Sequence, residues 1–523
     1  MRTTMKPLLA LRRSPGFARL GLVAAVIAAP LLACTALINH DADQCSTDGD
    51  CAQFGNHPVC QSGVCVSSGL GPVGCFLGDA STVDQFLNQC STSQCLVSDP
   101  CALNGICDDD AQAPIVAPDA AAASTTTTSD AAPPPFCSQV AANVVFTAGS
   151  TALQPFLAVV ATLPPIGTTS YTIVYANTGS CTGVASQLDT NPAKHLVSGA
   201  AVYFDTSGTS HPCLLDPGGS AIDVGISDVF ASSCSEPEPI AGGAVAEYRG
   251  PIQAMTMVVP QASSQNTITA AQAHLVFGTG GGGVPEPDAS TFPWTDPTLY
   301  FVRNSGSGTQ QMLSRAFNVP ATQWWGVDRG GSGAVATGLQ AVDPAKADQA
   351  IGILSTDVVD PLRGKLKYLA FQESGQSCGY YPDSSSATKD KLSIRDGHYP
   401  VWGPVHMFTQ VTASLPNAAA QSIVARFGQT ALDQTLLNKI IDVGLVPQCA
   451  MTVARDSELG PIHEQAPDFE CGCYMDSRVI GATAPGCVSC NSGADCSGVP
   501  GKPQCNYGYC EASQVSATTP TFP

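Results

Sequence analysis

The sequence predicts an α/β core set between two small disulfide-rich modules. Two patterns carry that expectation. A strand, small-residue loop and helix recur three times in the middle of the chain, and a four-cysteine spacing is repeated near the two ends. At 523 residues the chain is longer than one ordinary domain, and 44% hydrophobic with 12% charged residues is a globular composition.

Residues 1–33 carry five basic side chains (Arg2, Lys6, Arg12, Arg13, Arg19), no acid, and an apolar run from Gly21 to Ala33 that is too short to span a bilayer. That is the pattern of a secretory signal. It ends in Leu31-Leu32-Ala33-Cys34, which resembles the bacterial lipobox. The resemblance implies lipidation of Cys34 and a place in the cell envelope, periplasmic or at the outer membrane or cell surface, held to the membrane by the lipid. An ordinary cleavage site with an incidental cysteine is the alternative; the apolar run stopping on Ala-Cys argues against it. The net charge is −20, and without residues 1–33 there are 17 basic against 42 acidic side chains, or −25. So acidic a chain makes nucleic acid a poor partner. Any anion it captures must be held by local donors.

Cys45-x5-Cys51-x8-Cys60-x4-Cys65 returns as Cys490-x5-Cys496-x8-Cys505-x4-Cys510. The spacing resembles small modules found on bacterial cell-surface proteins. Cysteine clusters also bind zinc, but an exported chain favours disulfides. Cys45 to Cys107 number nine and Cys471 to Cys510 number seven, so with every thiol paired each flank bonds once outside itself. Cys137 and Cys449, at the edges of the central region, are the expected outward partners, leaving Cys181, Cys213, Cys234 and Cys378 to close two bridges within the core. Residues 108–136 run from acidic to Ala/Thr-rich to Pro-rich without apolar periodicity and read as a disordered tether. The chain thus divides into a signal (1–33) ending at Cys34, a cysteine-rich module (35–107), a linker (108–136), the core (137–455), a second cysteine-rich module (456–512) and a tail (513–523).

Within the core, Val144-Val145-Phe146-Thr147-Ala148-Gly149-Ser150-Thr151 is a strand running into small polar residues, followed by a helix over Ala152 to Val160. Tyr171 to Ala176 leads through Thr178-Gly179-Ser180 to a helix beginning near Thr182. Phe301-Val302-Arg303 leads through Ser307-Gly308-Thr309 to a helix over Gln310 to Phe317. Such a loop leaves backbone N–H groups free at a helix N-terminus, where the helix dipole favours negative charge. Arg303 adds a planar fork suited to a tetrahedral oxyanion. One Gly/Ser loop is an ordinary turn and cap; three, with the strand Ile222 to Ser227 ending on Asp228, point to convergence on one small anion.

In order and spacing, Gly149-Ser150-Thr151, Thr178-Gly179-Ser180, Gly225-Ile226-Ser227-Asp228 and Arg303…Ser307-Gly308-Thr309 resemble the phosphate-binding protein of bacterial ABC uptake systems. Further echoes are Thr267 to Phe277, Ala350 to Leu354 and Arg395-Asp396-Gly397-His398-Tyr399-Pro400-Val401. The resemblance covers roughly residues 140–450. It implies a two-lobed type 2 periplasmic-binding fold, a receptor that is not an enzyme, inorganic phosphate as ligand, and an ABC transporter permease as partner. No cofactor or metal is implied. The ligand residues it implies are Ser150, Thr151, Thr178, Gly179, Ser180, Asp228, Arg303, Ser307, Gly308 and Thr309. One departure stands out: family members usually carry an acid two residues after the arginine, and here Ser305 occupies that place, so Arg303 is expected to lack that buttress.

Catalytic signatures are missing from the sequence. His463-Glu464 lacks the second zinc-binding histidine, Gly364-Lys365 has no P-loop before it, and Gly306-Ser307-Gly308 lacks nucleophile-elbow spacing. Gly280 to Gly283 reads as a surface loop, and Trp324-Trp325 as a buried helix face. Two rivals to phosphate uptake stay open: a receptor for another oxyanion such as sulfate or molybdate, and a surface adhesion or scaffold protein keeping the fold without the ligand. The anchor is directly testable. Wild type should partition into detergent and Cys34→Ser should yield a soluble, unlipidated product; wild type found wholly in the aqueous phase would remove the lipobox reading.

Overall fold

The computed structural model describes residues 59–61, 64–66, 75–76, 78, 80–97, 133–164, 170–240, 242–281, 293–411, 418–427 and 432–512. The signal, Cys34, most of the linker and the tail lie outside the described residues. Contacts divide the chain into two units, Met1–Leu70 and Gly71–Pro523.

In the first unit Val59–Gln61 pairs antiparallel with Val64–Val66, setting Cys60 opposite Cys65. In the second, Gln504–Asn506 pairs with Tyr509–Glu511, setting Cys505 opposite Cys510. The repeated spacing is therefore a repeated hairpin register.

The core is built on an 11-stranded sheet. Its first half begins with β1 (Val144–Gly149), followed by α1 (Gln154–Ala161), β2 (Thr172–Ala176) and α2 (Ser180–Leu188). β3 (Ala200–Phe204) and β4 (Ser210–Leu214) form an edge hairpin, and β5 (Val224–Ser227) ends at Asp228. β1 lies parallel to both β2 and β5. These short Val/Ile/Tyr-rich runs are buried on both faces, so they read as continuous apolar strands rather than alternating ones.

β6 (Val245–Pro260) crosses into the second half. There follow α3 (Ala270–Thr279), β7 (Tyr300–Val302), α4 (Gly308–Phe317), β8 (Val327–Asp328), α5 (Ser332–Gln340), β9 (Ile351–Ser355) and β10 (Leu366–Tyr368). β11 (Trp402–Gln410) then returns across both halves. β7 is parallel to β8 and β9. The strand order is β8-β7-β9-β6-β11-β5-β1-β2-β3-β4, with β10 paired to β6.

Two separate cores make these halves two lobes. One gathers Val145, Phe156, Leu157, Ile173, Tyr175, Val224 and Met407; the other gathers Met255, Met257, Phe277, Tyr300, Met312 and Ile353. Only β6 and β11 pass between them in the sheet, and their register shifts between Arg249 and Ile252. Such a bulge bends a strand pair locally. Helix α6 (Gln434–Asp442) lies across the join: Leu436 and Ile440 enter the first core, Leu437 and Ile441 the second. Beyond it Val446 exchanges two backbone hydrogen bonds with Ile252 (2.7 and 3.0 Å). The Gln448 amide donates to the carbonyls of Arg249 (3.0 Å) and Gly250 (2.6 Å), so the bulge is held from one side.

Residues 80–97 and the C-terminal flank are built onto the second lobe. Cys95–Leu96 pairs with Gly379–Tyr380 in a sheet that also contains Thr267–Thr269 and Ala370–Gln372. Helix α7 (Gly472–Ile480) buries Tyr474 and Met475 in the second core, and the buried Arg395 pairs with Asp476. The late Arg395-to-Val401 stretch is thus structural, with the Tyr399 hydroxyl donating to the Met255 carbonyl at 2.7 Å.

The cysteine pairing corrects one expectation. Cys449 bonds Cys471, linking the core outward to the C-terminal flank, and Cys181 bonds Cys234 inside the first lobe. Cys137, however, bonds Cys213, because its segment lies beside the edge strand β4 through a Phe136–Leu214 bridge. Cys378 instead takes the outward link, to Cys95 on the paired strand. The sulfurs of Cys490, Cys496 and Cys510 lie within 4.8 Å of one another, but they are committed to the disulfides Cys490–Cys505 and Cys496–Cys510. A second correction concerns the tryptophans. Neither is helical: Trp324 stacks on Phe277 at 4.7 Å and Trp325 is 51% exposed.

Peptide mapping without reduction should recover Cys95–Cys378 and Cys137–Cys213 as separate linked pairs. Recovery of Cys137 joined to either flank would contradict this connectivity.

Candidate functional site

The centre of the site is a carboxylate. Asp228 follows β5 and is 1% exposed. Its Oδ2 accepts from the Ser150 hydroxyl at 2.6 Å, and its Oδ1 accepts from the Ser180 hydroxyl. The Ser180 oxygen in turn accepts from the Gly308 amide at 3.2 Å. Loops after β1, β2 and β7 therefore meet on one acid. Burial raises the Asp228 carboxyl above its ordinary range, an effect that the two serines and Arg303 offset only in part.

Close approach sets the residue types. Gly149 has φ +146°, and a Cβ there would lie 1.7 Å from the Ile226 carbonyl oxygen. A Cβ at Gly308 would lie 1.6 Å from Asp228 Oδ1. Only glycine lets those two loops reach the carboxylate.

Arg303, 3% exposed, follows β7. Its backbone N–H donates to Gln310 Oε1 at 2.9 Å, its Nε to the Gly330 carbonyl at 3.1 Å and its Nη1 to Ser332 Oγ at 3.0 Å. Asp228 and Asp328 both favour its charge against the cost of burial. The support expected to be missing at Ser305 comes instead from the loop after β8, through the Gly330 carbonyl and the Ser332 hydroxyl. No described residue accepts from Nη2. On the first turn of α4, the Thr309 hydroxyl is buried without a partner, and no described residue accepts from the N–H groups of Thr309 and Gln310.

Ser150, Ser180, Asp228, Arg303, Ser307, Gly308 and Thr309 are all buried and lie together here. Thr151 stands at the rim, its hydroxyl 3.1 Å from that of Ser332 in the other lobe. Gly179 is spent on structure, its N–H donating to the Gly149 carbonyl at 2.8 Å. Thr178 is exposed and bonds back to Ala176, outside the buried cluster. Sequence reasoning passed over Ser332, although Gly330-Gly331-Ser332-Gly333 before α5 is a fourth small-residue loop opening a helix. It also passed over Asp357, 1% exposed, whose Oδ1 accepts from Gln253 Nε2 at 2.8 Å and whose Oδ2 is buried without a partner.

Two lobes of parallel strands, two antiparallel strands crossing between them, and loops from both lobes meeting on one buried site decide the architecture. This is the two-lobed type 2 periplasmic-binding fold. Solved binding proteins similar to the chain include one from Clostridium perfringens described as a phosphate ABC transporter substrate-binding protein with bound phosphate (14% identity, 58% of this chain and 99% of that one, TM-score 0.39). Another is an ABC-type phosphate transport receptor from Vibrio cholerae (13%, 58% and 99%, TM-score 0.36). A third is a phosphate-binding protein from Stenotrophomonas maltophilia (13%, 58% and 90%, TM-score 0.34). No protein-family model and no curated protein matches the sequence.

In this binding-protein fold Asp357 gives a pH prediction. Burial pushes its carboxyl up to about 7, so over the acid range the folded state holds a proton that the unfolded chain releases. Its contribution to stability is complete below the ordinary carboxylate pKa and is lost as pH rises through about 7. Asp357→Asn should therefore raise Tm at pH 8, by about 2–4 °C for each kcal/mol recovered, and change it little at pH 4. Calorimetry at the two pH values checks this; an equal shift at both would exclude titration of Asp357 as the cause.

Proposed function

We propose that the chain is an envelope receptor that binds inorganic phosphate between its lobes. The observation that carries this is Asp228, a buried carboxylate set among oxyanion donors. A carboxylate beside an anion repels it, unless the anion brings a proton. Near neutral pH phosphate retains one and sulfate does not, and an ionised aspartate can only accept. Phosphate can then share its proton with a lone pair that the two serines leave free on Asp228, whereas sulfate brings only a like charge.

The donors on this reading are Arg303, the Thr309 hydroxyl and the open first turn of α4. Ser150 and Ser180 act indirectly, favouring the ionised form of Asp228 against burial and aiming it. The groups bind and orient, so capture rather than turnover is the activity. Lipid at Cys34 would hold the receptor at the membrane, and an ABC transporter permease would be its partner.

Titration calorimetry with phosphate and sulfate tests the reading. Wild type should prefer phosphate by at least ~100-fold, comparable to the cost of one unpaired buried polar group. Arg303→Ala should weaken phosphate binding by at least ~10-fold, and Asp228→Asn should narrow the phosphate–sulfate gap, since an amide also donates. Equal wild-type affinities would remove Asp228 from the pocket. No binding of any oxyanion would leave the scaffold reading in its place.

A further inference from the structure

The chain that carries Asp228 is gripped on both sides. Ser227, buried at the end of β5, accepts from the Val229 N–H at 3.1 Å and donates to the Val229 carbonyl at 2.7 Å. Beyond that turn the Phe230 N–H donates to Glu458 Oε2 at 3.0 Å, and the Ser233 hydroxyl donates to the same oxygen at 3.1 Å. The other oxygen, Oε1, is buried without a partner. Glu458 belongs to the C-terminal flank, outside the stretch of roughly 140–450 over which the sequence resembles phosphate-binding proteins.

The segment bearing this acid is itself pinned. Three residues earlier Arg455, 4% exposed, lies over the Trp402 ring at 4.1 Å and donates from Nη1 to the Trp402 carbonyl at 3.2 Å. Trp402 opens β11, and the residue after it is Gly403. A Cβ at Gly403 would lie 3.2 Å from Met312 Cε, 3.7 Å from Glu458 Oε1 and 4.0 Å from the Asp228 carbonyl oxygen. Three elements therefore meet over one point of β11: the backbone of Asp228, the acid from the flank, and α4, whose first turn carries Thr309 and Gln310.

The charges agree with that placement. Burial raises the Glu458 carboxyl above its ordinary range, while His406, the Phe230 N–H, Arg315 on α4 and Arg455 all favour the ionised form. An acid enclosed at that cost is held by donors from the Asp228 segment and by cations from α4 and its own segment.

We infer that Glu458 is a positioning residue of the anion site: it fixes the backbone after Asp228 against α4, and so sets where the Asp228 carboxylate meets the ligand. The C-terminal flank then takes part in ligand choice as well as in stapling the chain. This rests on the phosphate reading above and deepens it.

Titration calorimetry of the full chain with inorganic phosphate and with sulfate, beside the Tm of each variant, tests it. Glu458→Ala should lower the phosphate-to-sulfate preference about 10-fold, comparable to one lost hydrogen bond to a charged group. Glu458→Gln keeps an accepting oxygen for both bonds and should restore most of that preference. Ser233→Ala removes one bond without touching the buried acid and should lower the preference about 3-fold, which decides the matter even where Glu458→Ala does not fold. In an Asp228→Asn background Glu458→Ala should change the ratio less than about 2-fold, because the group it positions is gone. A purely structural Glu458 would lower Tm and weaken both anions alike. A ratio unchanged in Glu458→Ala and Ser233→Ala would thus overturn the inference and leave the phosphate reading standing. An equal fall in both backgrounds would also overturn it, placing the effect away from Asp228. Equal wild-type affinities, or no binding of either anion, would overturn both readings.

Discussion

Burying one carboxylate organises the core. Taking Asp228 out of water costs several kcal/mol unless donors replace the solvent, and no single loop of this chain supplies them. Ser150 comes from the loop after β1, Ser180 from the loop after β2, and the Gly308 amide, which orients Ser180, from the other lobe. The first lobe thus satisfies the acid directly, and docking of the second adds the amide that orients one of its two donors. The glycine at 308 follows from the same demand, since a Cβ there would strike the carboxylate, while one at 149 would strike the Ile226 carbonyl on the adjoining strand.

The join between the lobes is reinforced on one side. A bulge in β6 bends the strand pair locally, and there α6 buries adjacent stripes in both cores while Val446 and Gln448 clasp the bulge itself. Bending at Arg249–Ile252 has to carry α6 with one lobe and shear it against the other. The cleft that Thr151 and Ser332 line is thus a feature of the docked lobes, shaped in part by α6 and α7, which contribute Asp442 and Arg478 to its wall.

What was legible in the sequence is what is local. Strand, small-residue loop and helix are consecutive, so the three loops, Asp228 and Arg303 could be read from spacing, and the helices start within about two residues of expectation. What depends on which strand lies beside which was not legible. Gly330 and Ser332 reach Arg303 only because β8 pairs with β7, and Gln253 reaches Asp357 only because β6 pairs with β9. Thr178 looked equivalent to Ser180, but the turn that brings the serine inward leaves the threonine outside. Cysteine parity required one outward bond from each flank, and the structure has both; parity carried no information on which core cysteine made the N-terminal one.

The two outward disulfides also define how the molecule would carry load. Tension entering from the N-terminal side reaches Cys95 and passes through sulfur to Cys378, skipping the 283-residue interval between them; on the other side Cys471 hands it to Cys449. The stretched path through the core is then only residues 378–449. Ser150, Ser180, Asp228, Arg303 and Ser332 all sit in the slack interval, off that path. A chain held at one end and pulled at the other would keep these residues unloaded until a covalent bond failed.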